Sequence, residues 1–90
     1  MDAVNKTLEN RGKDYGSFEV GTKEFASIMD SLETIYIDKN GDVPSYKEFL
    51  PIIYLVMKLV RVGATPNHID SWHDIQGYAK LTEEMYKKDL

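Results

Sequence analysis

Lys58 and Arg61 are the only charged residues between Phe49 and Val62, and their i, i+3 spacing puts both on one face of a helix. Asp70 and Asp74 follow at i, i+4, with Trp72, His73 and Tyr78 close by in sequence. A cationic pair facing an acidic pair has two uses. It can form a partly buried salt-bridge network that fixes helix register, or it can leave some of its groups free for a charged ligand. The segment Arg11-Gly12-Lys13-Asp14-Tyr15-Gly16-Ser17-Phe18 adds cations, glycines and flat rings. Guanidinium and ammonium groups meet phosphates, glycines permit close backbone approach, and an aromatic face stacks a base. Together these parts predict a nucleotide-like anion site formed by Arg11, Lys13, Tyr15, Lys58, Arg61, Asp70, Trp72 and Asp74. No Gly-x-x-x-x-Gly-Lys run is present, so the expectation is binding rather than a hydrolysing phosphate loop.

Other chemistries find less support. With no cysteine there is no thiol nucleophile, thiolate metal site or disulfide framework. His68 and His73 are five apart, not at the i, i+4 spacing of a helical zinc pair, and each reads as a surface or capping group. The serines lack a nucleophile-elbow context. Asp38 to Asp42 begins like a calcium loop, but Val43 stands where the loop needs glycine and Glu48 falls one residue early. A solvated turn is expected there. A magnesium-dependent reaction would use Asp30, Glu33, Asp70 and Asp74, provided the second and fourth helices face each other. The expectation is no catalytic residue and no cofactor, with magnesium as the alternative.

These side chains need elements to hold them. From Asp2 to about Arg11, Ala3, Val4 and Leu8 recur at helical spacing, with Asp2 as cap and Gly12 as stop. The glycine-rich stretch from Gly12 to Gly21 reads as an ordered loop. Phe25, Ile28, Met29, Leu32, Ile35 and Tyr36 mark an amphipathic helix from about Thr22 to Ile37. Ser45 and Glu48 are in the capping-box relation, opening a third helix that runs past Pro51 to about Val62. That helix is apolar almost all round, as a central or interface helix is. Gly63 to Pro66 connects it to a fourth helix, capped by Asn67 or Asp70 and running to about Met85, so the last two helices are expected as antiparallel neighbours. The predicted class is all-α, with about four helices in a single domain over residues 1–90.

Composition agrees with a small globular domain: 90 residues, 42% hydrophobic, 29% charged, net charge −4. The acidity argues against binding duplex nucleic acid or an anionic membrane. The apolar run from Phe49 to Val60 is interrupted by Pro51 and Lys58 and falls short of the roughly 20 residues of a membrane span. Nothing at the N-terminus resembles a secretory leader, so a cytoplasmic location is expected. A chain of this size buries only about 60 to 65% of its unfolded surface, which predicts a homo-oligomer.

The motifs Arg-Gly-x-x-Tyr-Gly-x-Phe (Arg11 to Phe18), Lys-x-x-Arg (Lys58 to Arg61) and Asp-Ser-Trp-x-Asp-Ile-x-Gly-Tyr-Ala (Asp70 to Ala79) resemble those of a family of small all-α proteins without an assigned function, encoded mainly by bacteriophages and prophages. The chain is also distantly similar to phage domains associated with nucleotide modification and to all-α nucleoside triphosphate pyrophosphohydrolases. The latter hold magnesium with Glu-x-x-Glu and Glu-x-x-Asp on facing helices. Here Asp70 and Asp74 are four apart and the first pair is Asp30 and Glu33. The resemblance implies a phage protein acting in the cytoplasm of an infected or lysogenic bacterium. Its expected role is to sequester a nucleotide or nucleotide-derived immune signal without turnover. Arg11, Lys58 and Arg61 would meet phosphates, Tyr15 and Trp72 would wall the base, and Asp70 or Asp74 would accept from ribose or base. The alternatives are a magnesium-dependent nucleotide pyrophosphohydrolase and a protein-binding inhibitor of a host enzyme.

Overall fold

The computed structural model describes residues 3–89. Among them there are helices α1 (Ala3–Tyr15), α2 (Phe18–Asn40), α3 (Tyr46–Ala64) and α4 (Ile69–Lys88), and no strand. The all-α expectation holds, and no helix is long and apolar enough to cross a membrane. The expected cap at Asp2 lies outside the described residues.

The end of α1 and both ends of α2 differ from the sequence reading. Gly12 does not stop α1, because a single glycine costs a helix only about 1 kcal/mol relative to alanine and good helix formers surround it. The break comes at Gly16, whose φ of +79° is left-handed and whose amide donates to the Gly12 carbonyl at 3.0 Å. Ser17 then caps α2, its hydroxyl accepting from the Val20 amide. The expected loop from Gly12 to Gly21 is therefore mostly helix, with a bend of two residues. At its far end α2 continues past Ile37 to Asn40. It closes on Gly41, at φ +80°, whose amide donates to the Ile37 carbonyl at 2.8 Å.

Ser45 and Glu48 form the expected capping box at the start of α3, and Pro51 sits in its second turn. The cap of α4 is His68, not Asn67 or Asp70, with its ring accepting from the Ser71 amide.

α3 lies at the centre and packs against each of the other helices, whereas the backbones of α2 and α4 stay apart among the described residues and these helices approach only as near as the electrostatic reach of Tyr86 on Tyr36. Gly21 of α2 comes close to Val60 of α3, and Tyr36 meets Phe49 edge-on. Along α3 and α4, Lys47 pairs with Asp89, Tyr54 stacks on Tyr78, and Lys58 pairs with Asp74. The contacts thus run in opposing order along both helix pairs. The buried apolar side chains are Phe49, Val56 and Val62, all on α3. The all-round apolar character of α3 has this cause, but its neighbours cover it only in part.

Candidate functional site

The site is best built outward from Arg61, in the last turn of α3. Its guanidinium lies 4.9 Å from the centroid of the Tyr15 ring, at the end of α1. That distance is within reach of a cation–π attraction. The Tyr15 ring also meets His68 edge-on, with centroids 5.5 Å apart. His68 is held by its capping role: Nδ1 accepts from the Ser71 amide at 3.3 Å and lies 2.8 Å from the Ser71 hydroxyl. With Nδ1 accepting, the neutral ring carries its proton on Nε2. Ser71 itself is 1% exposed, so the cap is buried where α4 meets α3.

One turn before Arg61, Lys58 places Nζ 3.0 Å from Asp74 Oδ2, and its side chain is 12% exposed. The Lys58 ammonium, by hydrogen bond, holds the Asp74 carboxyl below the usual aspartate range; partial desolvation opposes this, and the charges of Lys58, His73 and Arg61 reinforce it. Lys58 is thus engaged in the salt bridge anticipated from sequence. Arg61 makes no ion pair among the described residues.

The helical repeat sorts the remaining predicted residues. Arg11 is four residues before Tyr15 and shares its face of α1, exposed to solvent. Asp70 is exposed one turn before Asp74, on the same face of α4. Lys13, two residues from Tyr15, falls on a different face of α1. Trp72, two residues from both Asp70 and Asp74, falls on the other side of α4, where Nε1 donates to the Pro66 carbonyl at 2.7 Å. The structure therefore brings together Tyr15, Lys58, Arg61 and Asp74, with Arg11 and Asp70 one turn away, and sets Lys13 and Trp72 apart.

Two sequence expectations are corrected here. The glycine-rich segment is mostly helical rather than an irregular loop, and its Gly16 and Gly21 amides donate to the Gly12 and Ser17 carbonyls and its Val20 amide to the Ser17 hydroxyl. The second and fourth helices do not face each other, since α3 lies between them. Asp30 and Glu33 line an open groove beside Pro44, Tyr46 and Phe49, while Asp74 is held by Lys58 on the α4 side. Among the described residues no group of three or more histidines and carboxylates is placed to hold a metal ion.

His68 is a capping group, one of the two roles its sequence position suggests, and its contact with the Tyr15 ring is the part that sequence reasoning missed. The signal for the cap was a histidine three residues before a serine at a helix start, the spacing of an N-cap. A second polar cluster lies at the other end of α3. Hydrogen bonds from the Ser45 hydroxyl, the Ser45 amide and the Tyr36 hydroxyl lower the Glu48 carboxyl, and the hydrogen bond to Glu48, with partial burial and the carboxylate charge behind it, raises the Tyr36 hydroxyl. Each of these groups serves the capping box, so this cluster is structural.

The family described as a domain of unknown function, DUF6378, matches residues 1–86. No curated protein and no solved structure matches the chain.

Proposed function

The chain belongs to the DUF6378 family of domains of unknown function, and from that premise we propose that it binds a nucleotide or a nucleotide-derived signal and holds it without turnover. The observation that carries this reading is Arg61, braced against the Tyr15 ring at 4.9 Å yet without a carboxylate partner among the described residues. A guanidinium stacked on a ring keeps its edge donors available for bidentate recognition of a phosphate. Lys58 lies one turn away, and Lys58, Arg61 and Asp74 together leave one positive charge unbalanced.

In this reading Arg61 and Arg11 meet phosphate, Tyr15 fixes the guanidinium, and Asp70 and Asp74 accept from ribose or base. Lys13 and Trp72 stand on other faces and are not needed. α3 and α4 form an antiparallel hairpin whose Lys58–Asp74 bridge fixes the register on which the site depends. The biological setting is the one the motifs suggest: a phage protein in the cytoplasm of a bacterial host, withholding an immune signal.

Thermal unfolding against a panel of mono-, di- and cyclic nucleotides, with and without magnesium, tests the proposal. A ligand present at a hundred times its dissociation constant adds about 2.7 kcal/mol. The expected result is stabilisation by at least one nucleotide recovered intact, with the shift lost in Arg61→Ala. Cleavage of the nucleotide would establish the magnesium-dependent alternative instead. The absence of any shift would overturn both.

A further inference from the structure

We propose that a second copy of this chain packs on the flank of the α2–α3–α4 layer that carries Ile35 and Leu59. Exposed or half-exposed apolar residues stand seven apart on two helices, Ile28 and Ile35 on α2 and Ile52 and Leu59 on α3, and two heptads apart on α4, Trp72 and Tyr86. Spacings of seven keep side chains on one stripe of a helix, as in the seams of helical assemblies. Tracing the helical repeat around axes whose contacts run in opposing order puts all three stripes on the same side of the layer. That side is the one α1 leaves open, because Tyr15 docks at Arg61, roughly 160° around α3 from Leu59.

Area identifies the occupant. The chain exposes 7107 Å², whereas a compact monomer of 10.3 kDa exposes about 5,400 Å². Its radius of gyration is 15.7 Å, against roughly 12 Å for a compact domain of this length. The excess, about 1,700 Å², is twice the roughly 800 Å² per partner of a standard interface and within the range of obligate dimers. With Phe49, Val56 and Val62 as its buried apolar residues, this fold needs a cover whenever it forms. A copy of the same chain is the partner that accompanies every folding event.

Charge favours the same answer. Across a two-fold interface, charges near the axis meet their own copies, so a self-complementary face is favoured when its centre is poor in charge. The charges of α3 between Phe49 and Val62 are Lys58 and Arg61; Lys58 is turned to Asp74 and Arg61 to Tyr15. The Trp72 ring has its Nε1 donor satisfied by Pro66, which leaves an apolar face fit to anchor an interface.

The test uses the full chain, which has no cysteine of its own. Sedimentation equilibrium should give twice the chain mass, and the unfolding midpoint should rise with protein concentration. Leu59 and Leu50 are 46% and 41% exposed in one chain, so single Leu59→Cys and Leu50→Cys variants would label alike in a monomer. The proposal expects Leu59→Cys to label more slowly, by roughly tenfold or more, because reagent must await dissociation. A monomer with a concentration-independent midpoint overturns the proposal. So does an oligomer in which both cysteines label at the same rate, since the interface would then lie elsewhere.

Discussion

The two sides of α3 solve the same problem differently. On the Arg61 side, the central groups have neighbours within the chain: Lys58 has Asp74, Arg61 rests on the Tyr15 ring, and Tyr15 in turn meets the capping histidine. On the Leu59 side, apolar groups remain in solvent, with Ile35 65% exposed on the neighbouring helix. Hydrogen bonds and ion pairs are short and directional, so a few side chains complete a polar cluster. Apolar burial scales with area, and a chain of 90 residues buries a smaller share of its surface than a larger domain does. The central polar contacts are therefore made within one chain, while the apolar groups of the other side stay exposed in it.

The sharpest way to break this contrast is to remove what both sides share. Phe49 is 8% exposed and packs on Tyr36. Phe49→Ala should cost about 3 kcal/mol, a fall in the unfolding midpoint of roughly 12 °C or more. Calorimetry should show both sides lost in one transition.

A smaller change tests the polar side alone. Arg61→Ala removes the cation–π contact and should cost about 1 kcal/mol. Arg61→Lys should recover part of the stability but not the binding of nucleotide, because an ammonium lacks the planar fork. Equal nucleotide binding by Arg61→Lys and the native protein would remove bidentate recognition from the proposal.

Acid sharpens the comparison further. The folded Asp74 and Glu48 carboxyls lie below their ordinary ranges, so their contributions are full above those ranges and fade as pH falls through the lowered values. Stability should therefore drop below about pH 4, and Asp74→Asn should flatten that drop without altering the midpoint's dependence on protein concentration. If the substitution also abolished the concentration dependence, the two sides would not be separable. The smallest effect is expected at Gly21, where an added Cβ would meet Val60 Cγ1 at 3.8 Å, an ordinary contact. Gly21→Ala should raise stability by about 0.5 kcal/mol through helix propensity, readable as a small gain in the denaturation midpoint.

Much of this was legible in the residues themselves. The capping box at Ser45 and Glu48 is written in two side chains three apart, and one helical repeat with a short connection places the pair Lys58 and Arg61 near the pair Asp70 and Asp74 without saying which groups meet. The end of α1 was harder. Gly12 and Gly16 are the same residue type, and only the left-handed turn at Gly16 stops the helix. Which of two glycines turns depends on how Tyr15 docks against Arg61 and His68, contacts that span more than forty residues of sequence. The candidate site was legible in its cations and carboxylates, which the structure gathers. Lys13 and Trp72 were close in sequence to the right residues but two positions away, which on a helix means another face.

By itself, the sequence determined the helical class, the capping box of α3, the apolar character of that helix on nearly every side and the modest supply of apolar cover. Each of these follows from local periodicity or from composition. The tertiary structure decided that α3 separates α2 from α4, which keeps the acids of those helices apart, and that Arg61 rests on a ring while Lys58 takes the carboxylate. Those outcomes turn on which helix lies between which. Helix order in space is settled by competition among apolar faces of similar strength, and the periodicity of one helix does not record it.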